Sequence, residues 1–374
     1  MLPLNTLAKA GLATALIIAF SNGFSEQERG SGADMSNAPR VAIDRAKATF
    51  MLSERDKRVH GLKPFQDLVD KAEAGSVLRP PPGIYVGPVV IDKPLIIEGN
   101  GLVTIDSGDK GTVMVLNASN SVLRGLHLTG SGDSHDSDDS CLDVRGHNNV
   151  VENIKADNCL FGLDFKQSNN NLIRGNEIRS KPLELGVRGD GLRLWYSNDN
   201  IVEKNQIIDS RDMVAWYSHR NTFRDNLGQR SRYSIHFMFA NDNVVERNQF
   251  YDNAVGVYFM YTEGGIVRSN IISHATGATG MGIGFKESSG TIVENNELIY
   301  CGIGIGSDLS PFQPDSTIEM RGNRFAYNGI GILFNSETGG NNMVDNIFEG
   351  NLTQVAYGGR GDNNNSPRNT WLGN

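Results

Sequence analysis

The sequence predicts an all-β fold: a right-handed parallel β-helix, a solenoid, with a capping helix at its N-terminal end. Three observations predict it. The first is a phrase that recurs along the chain, NNLIRGNEI, DNIVEKNQI, DNVVERNQF, GTIVENNEL, TIEMRGNRF. Its asparagines, Asn176, Asn205, Asn226, Asn248, Asn270, Asn296, Asn323 and Asn346, are spaced by 29, 21, 22, 22, 26, 27 and 23 residues. A period in the low twenties with local insertions marks stacked coils, none of which buries its apolar face alone. The second is the content of one repeat. Within Asn243–Ser269, Val244, Val245 and Phe250 alternate with polar residues, and a glycine-centred run, Val255 to Met260, follows before a Thr-Glu-Gly-Gly turn. No repeat holds a helical stretch of ten residues, so short strands and turns are favoured over helical repeats. The third is the asparagine column itself. Coils stacked about 4.8 Å apart place identical residues above one another, where inward amides can hydrogen-bond along the stack.

Composition agrees. Proline is scarce, 12 residues, while glycine numbers 43, as coil corners require. The net charge of −8 and the absence of a basic stripe argue against nucleic-acid binding.

The elements follow in order. Residues 1–25 read as a signal peptide, with Lys9 before the short apolar run Ala10–Phe20. Residues 26–60 read as a linker and N-terminal helical segment: Glu26–Pro39 is a Gly/Ser-rich lead-in, and Val41–Val59 is a helical candidate. Residues 61–374 form the capped β-helix domain. There Phe65–Ala74, with Pro64 before it and Gly75 after it, is the helix expected to cover the first coil, because a solenoid end exposes core and strand edges. Coils are expected from about Gly83 to about Ala356. Cys141, Cys159 and Cys301 form no C-x-x-C pair; Cys159 and Cys301, each just before a glycine-centred strand, read as buried small side chains, and a Cys141–Cys159 disulfide is compatible with an oxidising compartment.

Aligning the glycine-centred strands takes Gly162, Gly191, Val214, Ser234, Gly256, Gly282, Gly304 and Gly331 as centres. Three residues on, Phe165, Leu194, Tyr217, Phe237, Phe259, Phe285, Ser307 and Phe334 are expected to face the core, since strand side chains alternate. Two residues on, Asp164, Arg193, Trp216, His236 and Tyr258 face out. Four residues on, so do Lys166, Trp195, Ser218, Met238, Met260, Lys286 and Asp308. The resulting patch, Trp195, Trp216, His236, Met238, Tyr258 and Met260, suits three readings. Two thioethers and an imidazole make a soft site suited to Cu(I). The aromatic surround suits a protein partner. A long loop, such as the insertion between Ile272 and Met281, would equally bury it. Elsewhere, the acidic run Asp133–Asp139 lacks EF-hand spacing and reads as a solvated loop. Arg211–Asp212, Arg230 and Arg232 read as corner ion pairs.

The chain resembles the NosD family of periplasmic maturation proteins of nitrous oxide reductase. The resemblance is carried by PGIYVG, IDKPL and GSG near the start, and by GDGLRLW (189–195), RDMVAWYSHRNTFRDN (211–226), RYSIHFMFANDN (232–243) and GVYFMYT (256–262). It runs on to GNLTQVAYGGRG and NTWLGN at the end. It implies a periplasmic accessory protein rather than a catalyst. Such a protein works beside an ABC transporter ATPase and permease, with a copper chaperone, to supply the copper–sulfur site of the reductase. It also implies transient copper binding, Cu(I), at the matching positions His236, Met238 and Met260. From residue type and register, Trp195, Trp216 and Tyr258 read as the border that docks a partner. The competing class is a carbohydrate-active β-helix, a uronate epimerase or polysaccharide lyase, which needs a base, an acid and a cationic neutraliser in one groove; Asp164, Arg193 and His236 share an outward column. The D-P-H-D signature of the alginate epimerases is absent.

Overall fold

The regular coils are laid down as three short strands joined through left-handed corner residues. The computed structural model describes residues 54–335, 339–358 and 369–374. The expected signal peptide, the lead-in and the first part of the Val41–Val59 helix lie outside the described residues. No helix among the described residues is long and apolar enough to cross a membrane.

One coil shows the plan: strands Val244–Glu246, Gln249–Tyr251 and Val255–Met260. The chain turns at Asp242, Arg247, Asp252 and Tyr261, all with φ between 53° and 58°. Each of these is followed by a buried polar residue, Asn243, Asn248, Asn253 and Thr262. A non-glycine residue in this region is unfavourable on its own. Here its N–H bonds a carbonyl of the next coil, as Arg247 does to Arg268 and Asp252 to Ser273. The third strands stack into a 12-stranded parallel sheet from Val89–Ile91 to Thr353–Tyr357, and the other two columns form a second, 24-stranded sheet. Register is maintained from coil to coil: Val245 pairs with Val267, Phe250 with Ile272, and Phe259 with Phe285.

The asparagine column is the spine. The backbone N–H and side-chain Nδ2 of Asn226 both donate to Asn248 Oδ1 at 2.9 Å, and those of Asn248 donate to Asn270 Oδ1. The chain of amides runs from Asn176 to Asn346 and ends on Asn374. A second ladder, Asn149, Asn171, Asn200, Asn221 and Asn243, runs beside it at an adjacent corner. Inside, Phe237, Phe259 and Phe285 stack at 4.9 and 5.3 Å, facing the core as the alternation predicts.

The alignment fails in one coil. Leu194 pairs with Ala215, which pairs with Phe237, so the core position there is Ala215 and not Tyr217. The true centre is Asp212, which the sequence conceals because no glycine marks this coil. Tyr217 instead sits at a left-handed corner (φ 49°) on the outside. Ser218 faces in: it is buried, and its hydroxyl donates to the Leu194 carbonyl at 3.0 Å.

At the N-terminal end, helix Gln66–Lys71 is shorter than expected because Ala72 is already extended. It places Phe65 and Val69 on the first coil, Phe65 meeting the Tyr85 ring edge-on at 5.4 Å. Helix Glu54–Val59 precedes it, and Arg58 reaches Asp106 at 2.6 Å. At the other end the coils extend beyond Ala356: Thr370–Leu372 pairs with Asn342–Val344. Cys141 and Cys159 form a disulfide with Cα atoms 5.5 Å apart, so they are bonded rather than plain buried thiols. Cys301 remains a buried free thiol, pushed up to about 11 by desolvation.

Candidate functional site

The outer face of the 12-stranded sheet gathers the aromatic and thioether residues. Pairing sets one column as Lys166, Trp195, Trp216, Met238, Met260, Lys286 and Asp308. Trp216 therefore stands between Trp195 and Met238, and not beside His236 as the mistaken centre had put it. Met238 and Met260 are direct cross-strand partners, roughly 4.8 Å apart at the backbone. The next column reads Asp164, Arg193, Val214, His236, Tyr258 and Gly284. His236 shares the face of Met238 two residues away, roughly 7 Å along the strand.

His236 is not exposed. The imidazole is 7% accessible, beneath Tyr233 (ring centroids 4.8 Å) and beside Tyr258 (6.0 Å). Burial, opposed by Asp212 and reinforced by Arg232 and Arg211, pushes it down to about 4. It is therefore neutral at pH 7, and neither ring nitrogen has a hydrogen-bond partner. The indole N–H of Trp216 is likewise buried and unpartnered. Buried polar groups are almost always satisfied, so an imidazole with two idle nitrogens marks a place where something else can bind. It also carries a penalty on acidification. The unfolded histidine takes up a proton near pH 6.5 and the folded one only near 4, so stability falls as pH drops through that window, by up to about 3 kcal/mol. Denaturant titrations at pH 7 and 4.5 should show His236→Leu losing less stability than the parent; equal losses would place the imidazole in solvent.

Sequence reasoning missed two parts of this face. Met281 brings a third thioether: a side chain at Gly284 would collide with the Tyr258 ring and, at 2.6 Å, with Met281 Sδ. The glycine leaves room for that sulfur–aromatic contact. The other is a corner stack beside the thioether column. Tyr196, Tyr217, Phe239 and Tyr261 stack ring on ring at 4.7, 5.1 and 4.9 Å. A one-position offset along an aromatic-rich repeat was its only signal.

Charge bounds the patch upstream. Buried Asp164 accepts two bonds from Arg193, at 2.9 and 2.5 Å, and lies 3.1 Å from Lys166. Asp138 closes the group, 2.9 Å from Arg193 and 3.1 Å from Lys166, so the acidic loop is pinned onto the sheet rather than solvated. Asp133 likewise meets Lys181 at 2.5 Å. Arg232 pairs with Asp212, and Arg230 with Asp209 at 2.6 Å, as expected of coil corners. Two of the groups named for sugar chemistry, the carboxylate of Asp164 and the cation of Arg193, are thus engaged with each other. Among the described residues, no group of three or more His, Cys, Asp or Glu side chains is arranged to hold a metal ion. The soft donors are the remaining set, and the idle nitrogens of His236 beside paired methionines fit a Cu(I) ligand set.

Comparisons with known proteins bear on the fold and the family. The model of a family described as periplasmic copper-binding protein (NosD) matches residues 178–372, and that of a right-handed β-helix region matches residues 111–230. No curated protein matches the chain significantly in sequence. Among solved structures, the A-module of the Azotobacter vinelandii mannuronan C-5 epimerase AlgE4 is similar at 15% identity and TM-score 0.52. That likeness covers 78% of this chain and 91% of that one. The catalytic domain of a GH87 α-1,3-glucanase is similar at 10% identity and TM-score 0.61, over 84% of this chain and 67% of that one. At such identities the likeness establishes the parallel β-helix alone.

Proposed function

The chain belongs to the NosD family of periplasmic copper-binding proteins, and from that premise we propose that it works in the periplasm as an accessory in assembling the copper site of nitrous oxide reductase. In this reading His236, Met238 and Met260 form an exchangeable Cu(I) station. A copper chaperone and the reductase dock across Trp195, Trp216 and Tyr258, and an ABC transporter ATPase and permease act alongside. The observation that carries the reading is the pairing of Met238 with Met260 next to an imidazole whose nitrogens are unused. All three residues fall within the segment matched by the family. Thioethers favour Cu(I), and a neutral imidazole ligates without first losing a proton. With Met238 and Met260 partly exposed on a rigid sheet and His236 buried beside them, the arrangement suits hand-over better than storage. Tyr258, its phenol pushed up to about 12 by burial, stays protonated and serves as border, not ligand.

The test is made in cells. A strain lacking this protein is complemented with the parent or with Met238→Leu/Met260→Leu, which keeps volume and removes sulfur. The parent should restore copper-loaded reductase, and the variant should restore little at equal abundance. Full restoration by the variant would overturn the assignment.

A carbohydrate-active alternative is distinguished by direct assay. The purified protein should neither epimerise nor cleave alginate or pectin. Turnover abolished by Asp164→Asn or His236→Ala would replace the accessory reading.

A further inference from the structure

At the downstream end of the corner stack, the surface opens into a cavity of about 280 Å³ lined by Phe239, Asn241, Tyr261, Glu263, Glu287 and Phe312, among others. We propose that this cavity receives a single cationic side chain, a lysine ammonium or an arginine guanidinium, presented by the protein that docks on the thioether face. The inference rests on the docking reading above and adds to it the chemistry of the partner's anchor.

Two features specify that occupant. The walls are aromatic: Phe239 and Tyr261 end the ring stack, and Phe312, 51% exposed, stands at the rim. The charges are acidic. Tyr261 is the last ring of its column, and the next residue there is Glu287, at the same left-handed corner (φ 47°). Neither Glu263 nor Glu287 has an ion-pair partner among the described residues, whereas carboxylates elsewhere on the same and preceding coils, such as Asp209, Asp225 and Glu246, are matched to arginines. Lys286, on the adjacent strand, pairs with neither. Aromatic faces and unmatched carboxylates together attract a cation in preference to a neutral group.

The cavity is also pre-formed. Ser289 Oγ accepts the backbone N–H groups of Phe312 and Gln313 at 2.9 and 2.8 Å, and the Phe312 N–H also reaches the Ser288 carbonyl at 3.1 Å. Glu263 is held by a parallel bridge to Ser289 and by its N–H donating to Asn241 Oδ1 at 2.9 Å. Little ordering remains to be done on binding. The volume lies at the lower edge of the range of small-molecule pockets and has room for one long side chain. Phe239 and Tyr261 directly follow Met238 and Met260, so a protein covering the thioether column would reach the cavity with an adjacent residue.

N-acetyl-lysine N-methylamide and its arginine counterpart are titrated into the protein by saturation-transfer NMR, with N-acetyl-norleucine N-methylamide as the neutral control. At least one of the two cationic probes should bind saturably and the norleucine probe should not. Glu263→Gln/Glu287→Gln should weaken binding at least about tenfold, as expected for removing two carboxylate contacts to a cation. Phe312→Ala should weaken it independently of charge. Equal binding of cationic and neutral probes, no saturable binding by either cation, or binding indifferent to the glutamate pair would each overturn the proposal. Copper retention is read on the same variants. The glutamate pair should leave it intact, and Met238→Leu/Met260→Leu should leave probe binding intact, so loss of the anchor and loss of the copper reading are told apart.

Discussion

Phe259→Ala is expected to destabilise the protein by about 3–5 kcal/mol. Its ring is fully buried between Phe237 and Phe285, and the three stack with centroids 4.9 and 5.3 Å apart. Truncation removes contacts on both faces of the ring. The cavity cannot close, because the backbone spacing of coils is fixed by the parallel ladder above and below it. Two neighbouring phenylalanines would each lose a stacking partner, and that places the cost toward the upper end. Equilibrium denaturation of parent and variant measures it. A loss within error would mean that the ring is not in the core, and the register of the whole outer face would fall with it.

Arg193→Leu should cost a similar amount, about 3–5 kcal/mol, by leaving a buried carboxylate without its principal partner. Burial already raises the Asp164 carboxyl above its ordinary value, and Arg193 is the main group opposing that. Lys166 at 3.1 Å compensates only in part, since it also serves Asp138 and Asp143. The sign of the pH dependence follows. A carboxyl whose folded pKa lies above its unfolded one costs stability once pH exceeds the unfolded value, and the cost disappears as the group protonates. The defect of Arg193→Leu should therefore shrink on acidification from pH 7 toward the carboxylate range. Adding Asp164→Leu should recover much of the stability at pH 7. A defect that is independent of pH and not rescued by the second substitution would point to lost packing instead.

Much of the solenoid was legible because its hydrogen bonds are written in side chains. An amide that bonds the same amide one coil away must recur at the coil period, so Asn226, Asn248 and Asn270 declare the stack. Phe237, Phe259 and Phe285 declare the core for the same reason. Legibility ended where a coil lacked its marker. The coil around Asp212–Trp216 has no glycine, the alignment slipped by two residues, and Tyr217 and Trp216 were misplaced with it. The corner stack was hidden because tyrosine and phenylalanine at positive φ are not recognisable as corners from residue type. The burial of His236 could not be read from its own strand either. It depends on Tyr233 and Tyr258, one from the bulged start of its strand and one from the next coil. The pairing of Met238 with Met260, with His236 two residues along the same strand, did come through, since it required only the period and the alternation of one strand.

The central proposal is that this face holds Cu(I) through the sulfur of Met238 and Met260, and one titration tests it most directly. The reduced protein is titrated with Cu(I) against a competing chelator, beside Met238→Leu/Met260→Leu of equal thermal stability. The account predicts one weakly held, exchangeable Cu(I) in the parent and its loss in the variant. Retention of copper by the variant as tightly as by the parent would contradict it and place the metal elsewhere on the molecule.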